Sequence, residues 1–420
     1  MINNIIEVEN VKLKILKIIS EGGFGIVYLV EPELKPTVKM ALKKMVIQDQ
    51  EVLDLAKKEL QFLKDYCSKP NDFLINYIGS KIIEDQPNRF VFYILTEFCP
   101  NGTLFDLMAR YLEKGLKFTE EEILRILNTI NNCLVHLHSL GIIHCDFKIE
   151  NLLFLNWDKI KLCDFGSVNA FSLNFNNIPK SIIHNFENYF EKQTTLMYRP
   201  PEMCDLSLNY LIDCKVDMWA LGCILFVLMF FKHPFHESSK LSIISASYFY
   251  PENSTYSEKL ENLLRNLLTP NPQLRPSSWD VKEIIENWNN FDTLELNQDA
   301  ISIKNDSNAL KRNLHTPTHK KEKTKVIELD DSGFNFTGIE NIIKEKKSTL
   351  NPTSNSNKSN FLKMDFNTLI KNEKNITDPF DVLLNSNNND KDQNKDNDPF
   401  AKLVDYEKSI ENTNFKFGLM

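Results

Sequence analysis

The chain has 420 residues, of which 42% are hydrophobic and 25% charged, proportions that exclude a fibrous or wholly disordered protein. Its 49 basic and 57 acidic residues give a net charge of -8, with no positive excess to neutralise a phosphate backbone, which excludes a general nucleic-acid binder. Residues 1–16 lack the basic, apolar and small-residue succession of a secretory signal, and the longest apolar run, residues 219–231, falls short of the roughly 20 residues that span a bilayer. A cytoplasmic protein is expected, with that run as a buried core helix and with its eight cysteines, none in a C-x-x-C pair, reduced.

In chain order, β-rich runs come first, at residues 12–19, 25–30, 38–45, 76–83 and 90–97, interrupted by one helical pattern at 51–66. After residue 100 the pattern turns helical. Thr119 and Glu122 form a capping box that opens an apolar series at 123, 126, 127, 130, 133, 134 and 137, and the helix is expected to stop at Gly141. His136 and His138, two apart on that helix, face different directions and make no metal site. Strands early and helices late imply two lobes. From about residue 294 the composition changes sharply: Asn, Lys, Ser and Asp dominate, 21 of the last 127 residues are Asn, and a disordered tail is expected. No internal repeat of fixed period is present, which excludes solenoids and propellers.

Several short segments carry chemistry. Gly22, Gly23 and Gly25 lie between two strand-like runs, where a hairpin backbone could approach phosphates with no Cβ in the way. Lys43, on the following strand, precedes Glu59 by sixteen positions, with Glu59 in the middle of a helix. Taken singly, these read better as an ordinary glycine hairpin and surface charges. They become informative in series with His144-Cys145-Asp146-Phe147-Lys148-Ile149-Glu150-Asn151, with Cys163-Asp164-Phe165-Gly166, and with Tyr198-Arg199-Pro200-Pro201-Glu202.

Over about residues 12–290 this ordered set resembles a protein kinase. The resemblance implies an α+β, two-lobed fold, with a β-rich N-lobe at about 12–98 and a helical C-lobe at about 99–290. These make a kinase domain of residues 1–293, followed by the tail at 294–420. It implies ATP and Mg2+ as cofactors and a protein Ser/Thr hydroxyl as acceptor. In-line phosphoryl transfer depends on positioning and charge neutralisation. On this resemblance Asp146 accepts or orients the acceptor proton, Lys148 lies by the γ-phosphate, and Asn151 and Asp164 offer hard oxygen ligands to Mg2+. Gly22, Gly23, Gly25, Val27, Ala41, Lys43 and Glu59 belong to the ATP site. Thr96 resembles a gatekeeper ahead of a hinge at Glu97 and Cys99, whose backbone would bond adenine. Thr195 matches the threonine that serine/threonine kinases keep near the catalytic aspartate. Asp217 resembles the anchor of the catalytic loop, and Glu202 would pair with Arg275.

A closer likeness lies in Glu21-Gly22-Gly23-Phe24-Gly25, Cys163-Asp164-Phe165-Gly166-Ser167, the segment from Gln193 to Met203, and the run from Trp219 to Phe226 followed by Phe230 to Phe235. These resemble the Numb-associated kinase family, which includes the adaptor-associated, cyclin-G-associated and yeast actin-regulating kinases. That likeness implies substrates among clathrin adaptors or endocytic actin-patch proteins, and a helix within residues 182–191. Two departures stand out. Cys145 replaces the arginine that binds an activation-loop phosphate, which puts control by that phosphate in doubt. Pro200 replaces the usual alanine of that element, a change expected to be tolerated.

In the tail, Asp378-Pro379-Phe380 and Asp398-Pro399-Phe400 repeat at an interval of 20, where composition alone predicts about 0.02 copies. Each resembles the motif by which endocytic proteins engage the appendage domains of clathrin adaptors, so recruitment to clathrin-coated membranes is expected. A flexible spacer of that length gives a root-mean-square separation of roughly 25 Å, enough for two copies to raise avidity. Basic residues between 311 and 325 suggest weak contact with anionic membrane or a nuclear signal, beside the simpler reading of a solvated linker. Two rivals stand beside the endocytic kinase: a pseudokinase scaffold that binds adaptors through its tail, and a kinase of nuclear targets.

Overall fold

The computed structural model describes residues 5–22, 25–170, 172–176, 178, 180–236, 238–251, 254–290 and 293–295. The expectations for the tail, including both Asp-Pro-Phe motifs, and the placement of Gly23 lie outside these residues. The described chain divides into two compact units, one running through Pro100 and the other beginning at Asn101.

The first unit is a six-stranded antiparallel sheet with one helix. Its strands are β1 (Ile5–Val8), β2 (Val11–Gly22), β3 (Gly25–Pro32), β4 (Met40–Ile47), β5 (Tyr77–Gln86) and β6 (Arg89–Glu97), in the order β1-β2-β3-β4-β6-β5. Alternation along β4 buries Met40 and Leu42, which join Val8, Leu13, Val30, Val38 and Leu95 in one core cluster. The β1–β2 turn is two residues, Glu9 and Asn10, both with positive φ, and the Glu9 carboxylate accepts the Ser80 N–H of β5 at 2.8 Å, tying the two edges of the sheet together. Helix α1 (Gln50–Tyr66) starts at Asp49, whose side chain accepts the Val52 N–H; it buries Leu53, Ala56, Leu60, Phe62 and Leu63, with Glu59 in the same stripe.

The second unit is mainly helical. Its elements are α2 (Leu104–Glu113), α3 (Glu120–Ser139), a hairpin of β7 (Leu152–Asn156) and β8 (Lys159–Leu162), α4 (Lys180–Gln193), α5 (Pro201–Cys204), α6 (Lys215–Phe230), α7 (Lys240–Ile244), α8 (Glu258–Leu267) and α9 (Ser278–Glu286). The expected capping box opens α3: Thr119 Oγ1 accepts the Glu122 N–H while Glu122 accepts the Thr119 N–H, and every apolar position of the series is buried. The apolar run beginning at Trp219 lies in α6 as far as Phe230 and is buried from Trp219 through Met229. A Cβ at Gly222 would lie 2.9 Å from side-chain atoms of Leu267 and Leu268, so glycine lets α6 approach α8. Among the described residues no helix is long and apolar enough to cross a membrane. Burial pushes the thiols of Cys133, Cys204 and Cys214 up to about 12 and that of Cys223 well above its ordinary value, so these groups stay protonated and behave as apolar volume.

Candidate active site

In the first unit, β2 and β3 form the glycine hairpin, with Gly22 opposite Gly25. Gly25 has φ +120°, and a Cβ there would sit 2.2 Å from the Lys44 carbonyl oxygen, so only glycine fits this close pairing of β3 with β4. Val27 is the cross-strand partner of Lys43, and Thr96 on β6 lies opposite Ala41 on β4. Lys43 Nζ donates to both oxygens of Glu59, at 2.7 and 3.0 Å. Glu59 is buried in an apolar helix stripe, where a carboxylate needs a partner; the lysine supplies it and is itself held in one place. Glu97 and Cys99 are buried. The Glu97 carboxylate accepts the Asn76 N–H at 2.8 Å and its own N–H donates to the Asn76 carbonyl at 3.0 Å, so this side chain fixes the segment and leaves any adenine contact to the backbone.

In the second unit, Asp146, Lys148 and Thr195 converge although the threonine is 49 positions away from the aspartate. Thr195 Oγ1 donates to Asp146 Oδ1 at 2.7 Å and the Thr195 N–H donates to the same oxygen at 3.0 Å. Lys148 Nζ donates to Asp146 Oδ2 at 2.6 Å and to Thr195 Oγ1 at 3.0 Å. The carboxylate is thereby fixed in rotation, with a cation beside it. Asn151 Nδ2 donates to the Asp146 carbonyl at 3.0 Å, and the Asn151 carbonyl accepts the N–H of Cys163, the residue before Asp164. One backbone link therefore joins the segments that carry the two expected metal ligands.

Beneath this group lies a buried polar network. Asp217, fully buried on α6, accepts the N–H of His144 at 2.9 Å and of Cys145 at 3.0 Å, and its Oδ2 lies 3.0 Å from His138 Nε2. His138 Nδ1 meets Ser278 Oγ at 3.0 Å, and Asn131 Nδ2 donates to the Ser278 carbonyl at 2.8 Å, so α3, α6 and α9 jointly hold the loop. Cys145 and Asp164 both have positive φ, 67° and 62°, a conformation that costs a non-glycine residue about 1–2 kcal/mol and places strain beside Asp146 and at one of the two expected metal ligands. Glu202 and Arg275 form the expected buried pair, at 2.8 and 3.1 Å.

Cys145 is 8% exposed and sits in an apolar cluster with Phe175, Phe186, Tyr189, Phe190 and Met203, where α4 packs against the loop. Helix α4 covers the expected residues 182–191 and extends two residues further at each end. The His138 contacts, the Ser167 Oγ bond to the Gln193 carbonyl at 2.6 Å and the bond from Asn169 Nδ2 to Tyr189 at 3.0 Å were not foreseen, because each joins positions that no local pattern relates.

A profile of the protein kinase domain matches residues 13–288, well over half of the chain. The chain belongs to the protein kinase family. It is similar to two probable serine/threonine-protein kinases of Dictyostelium discoideum, 36% identical over 272 residues and 37% over 270, alignments that cover 64% and 63% of this chain but 24% and 33% of those proteins. It is also 35% identical over 287 residues to serine/threonine-protein kinase ppk30 of Schizosaccharomyces pombe, covering 67% of this chain and 29% of that one. The chain thus spans about a quarter to a third of the length of these relatives. Kinases of this family use ATP and Mg2+.

The residues fit that ion. The Asn151 amide commits its nitrogen to the Asp146 carbonyl, which leaves the oxygen as its remaining donor, and the Asp164 carboxylate follows directly on the tied Cys163; both are hard oxygen donors of the type Mg2+ takes. Asn151 and Asp164 would hold the ion, which would supply charge neutralisation to the phosphate groups of ATP.

Proposed function

We propose that the chain is an ATP-dependent serine/threonine protein kinase. The observation that carries this reading is the Asp146–Thr195–Lys148 group. An acceptor hydroxyl hydrogen-bonded to Asp146 is oriented for in-line attack on the γ-phosphorus and gives up its proton to that carboxylate. The new P–O bond forms as the bond to the β,γ-bridging oxygen breaks, releasing ADP. Lys148, already beside Asp146, stabilises charge on the transferring group, and Lys43, fixed by Glu59, holds the α- and β-phosphates.

Its substrates, on this proposal, are clathrin-adaptor or endocytic actin-patch proteins, and its place is the cytoplasm with recruitment to clathrin-coated membranes. Support comes from the motifs shared with Numb-associated kinases and from the two Asp-Pro-Phe tripeptides, which carry apolar anchors for adaptor appendage pockets. The test is binding of the purified chain to an appendage domain, together with phosphorylation of an adaptor medium chain. Wild type is expected to bind and to label a threonine, and Phe380→Ala with Phe400→Ala is expected to abolish binding. Unchanged binding in the double variant, or no labelling of the medium chain by an enzyme active on other acceptors, overturns the endocytic assignment.

A further inference from the structure

Thr195, which carries both bonds from the second unit's turn to Asp146, follows α4 by two residues, so the aspartate is positioned only as well as that turn is held. The turn has its own buried cation. Arg199 is 4% exposed; its Nε donates to Thr194 Oγ1 at 2.7 Å, and Nη2 donates to the Thr194 carbonyl at 2.9 Å and to the Glu191 carbonyl at 3.4 Å. Thr194 Oγ1 in turn donates to the Phe190 carbonyl at 2.7 Å. These carbonyls belong to the last turn of α4 and the residues after it, where intrahelical donors run out and the helix dipole is negative, so a guanidinium satisfies them on both counts. A short turn returns the arginine to this point: the Tyr198 N–H bonds the Thr195 carbonyl and the Arg199 N–H bonds the Leu196 carbonyl. Only a planar fork reaches the hydroxyl and two carbonyls together; an ammonium on a single stem does not. Position 145 holds no guanidinium, and its cysteine lies among apolar rings.

We propose that Arg199 is a positioning residue for phosphoryl transfer: through Thr194 and Thr195 its guanidinium fixes the rotation of the Asp146 carboxylate. This rests on the kinase reading above. The test uses the full chain with Mg-ATP and a Ser/Thr peptide library, comparing wild type, Arg199→Met, Arg199→Lys, Thr195→Val and the double variant Arg199→Met with Thr195→Val. Expected are a fall in kcat of at least about tenfold for Arg199→Met, partial recovery for Arg199→Lys, and Mg-ATP affinity by calorimetry within about twofold of wild type. In the Thr195→Val background, where only the backbone N–H bond to Asp146 remains, Arg199→Met should lower kcat by clearly less than it does in wild type, because both changes weaken one linkage. Multiplying losses in the double variant, or an unchanged kcat in Arg199→Met, overturn the positioning role while leaving the kinase reading intact. A wild type that transfers nothing sinks the kinase reading instead. Hydrogen exchange over residues 191–199 then decides whether Arg199 orders the turn, faster exchange in Arg199→Met supporting that order and unchanged exchange overturning it. Should Arg199→Met not fold, Arg199→Lys alone and combined with Thr195→Val carries the same comparison.

Discussion

Thr195 and Asp146 are joined twice, by the threonine hydroxyl at 2.7 Å and by its backbone N–H at 3.0 Å, and both bonds end on Oδ1. Lys148 holds the other oxygen, so rotation of the carboxylate is restricted from both sides. Thr195→Val keeps the shape and removes the hydroxyl. It should lower kcat by about ten- to a hundredfold, part of the 10²–10⁴ contributed by a positioned proton acceptor, with the KM for ATP little changed. Thr195→Ser should retain most activity. Steady-state kinetics with varied ATP checks this; equal rates for valine and serine would contradict it.

Asp217 holds two N–H groups of the catalytic loop from below. Asp217→Ala leaves both buried donors unmet, at about 1–3 kcal/mol each, and should destabilise the second unit by about 2–6 kcal/mol in urea unfolding. Asp217→Asn, which keeps one acceptor oxygen, should lose about half of that. A loss below about 1 kcal/mol for the alanine variant would mean that the network does not hold the loop.

Cys145 belongs to the apolar cluster beneath α4. Restoring arginine there buries a charge among Phe186, Tyr189 and Phe190, and should cost at least about 3 kcal/mol by thermal unfolding, whereas Cys145→Ala should cost about 1 kcal/mol. Arginine accepted without loss would show that the cluster opens readily toward solvent.

Burial lowers the pKa of His233 to about 3 from its ordinary 6.5. Its Nδ1 accepts the Phe235 N–H at 3.1 Å, and the ring packs edge-on against Tyr198 at 4.5 Å. The native state holds this imidazole neutral while the unfolded chain protonates it near 6.5, so the unfolded state binds more protons as pH falls from about 6.5 toward 3. Stability is lost across that window, by up to about 1.4 kcal/mol per pH unit from this group. The slope of unfolding free energy against pH in His233→Asn should be shallower than in wild type; identical slopes would contradict the assignment.

Much of this was legible along the chain. Apolar periodicity with the Thr119 and Glu122 capping box marked α3, and the ordered series of short motifs singled out Lys43 with Glu59 and Asp146 with Thr195, pairs that the fold joins by hydrogen bonds. Strand β1 was not legible, since its turn uses Glu9 and Asn10 at positive φ where glycine is the usual signal. The β7–β8 hairpin is short and lies within a helical stretch. The contacts of His138 and Ser278 depend on how helices pack, since the two stand 140 positions apart, and those of Arg199 depend on a turn that brings it back to the end of α4. Spacing also placed Lys43 ahead of Glu59, but only the fold shows that the glutamate is buried and both of its oxygens are met.

The most direct test is transfer of labelled γ-phosphate from Mg-ATP to Ser/Thr peptides by wild type and by Asp146→Asn. The geometry predicts robust labelling by wild type and a fall of at least about a hundredfold in the variant, with nucleotide affinity retained. Equal labelling by both proteins, or none by wild type, would contradict a catalytic role for the Asp146 site.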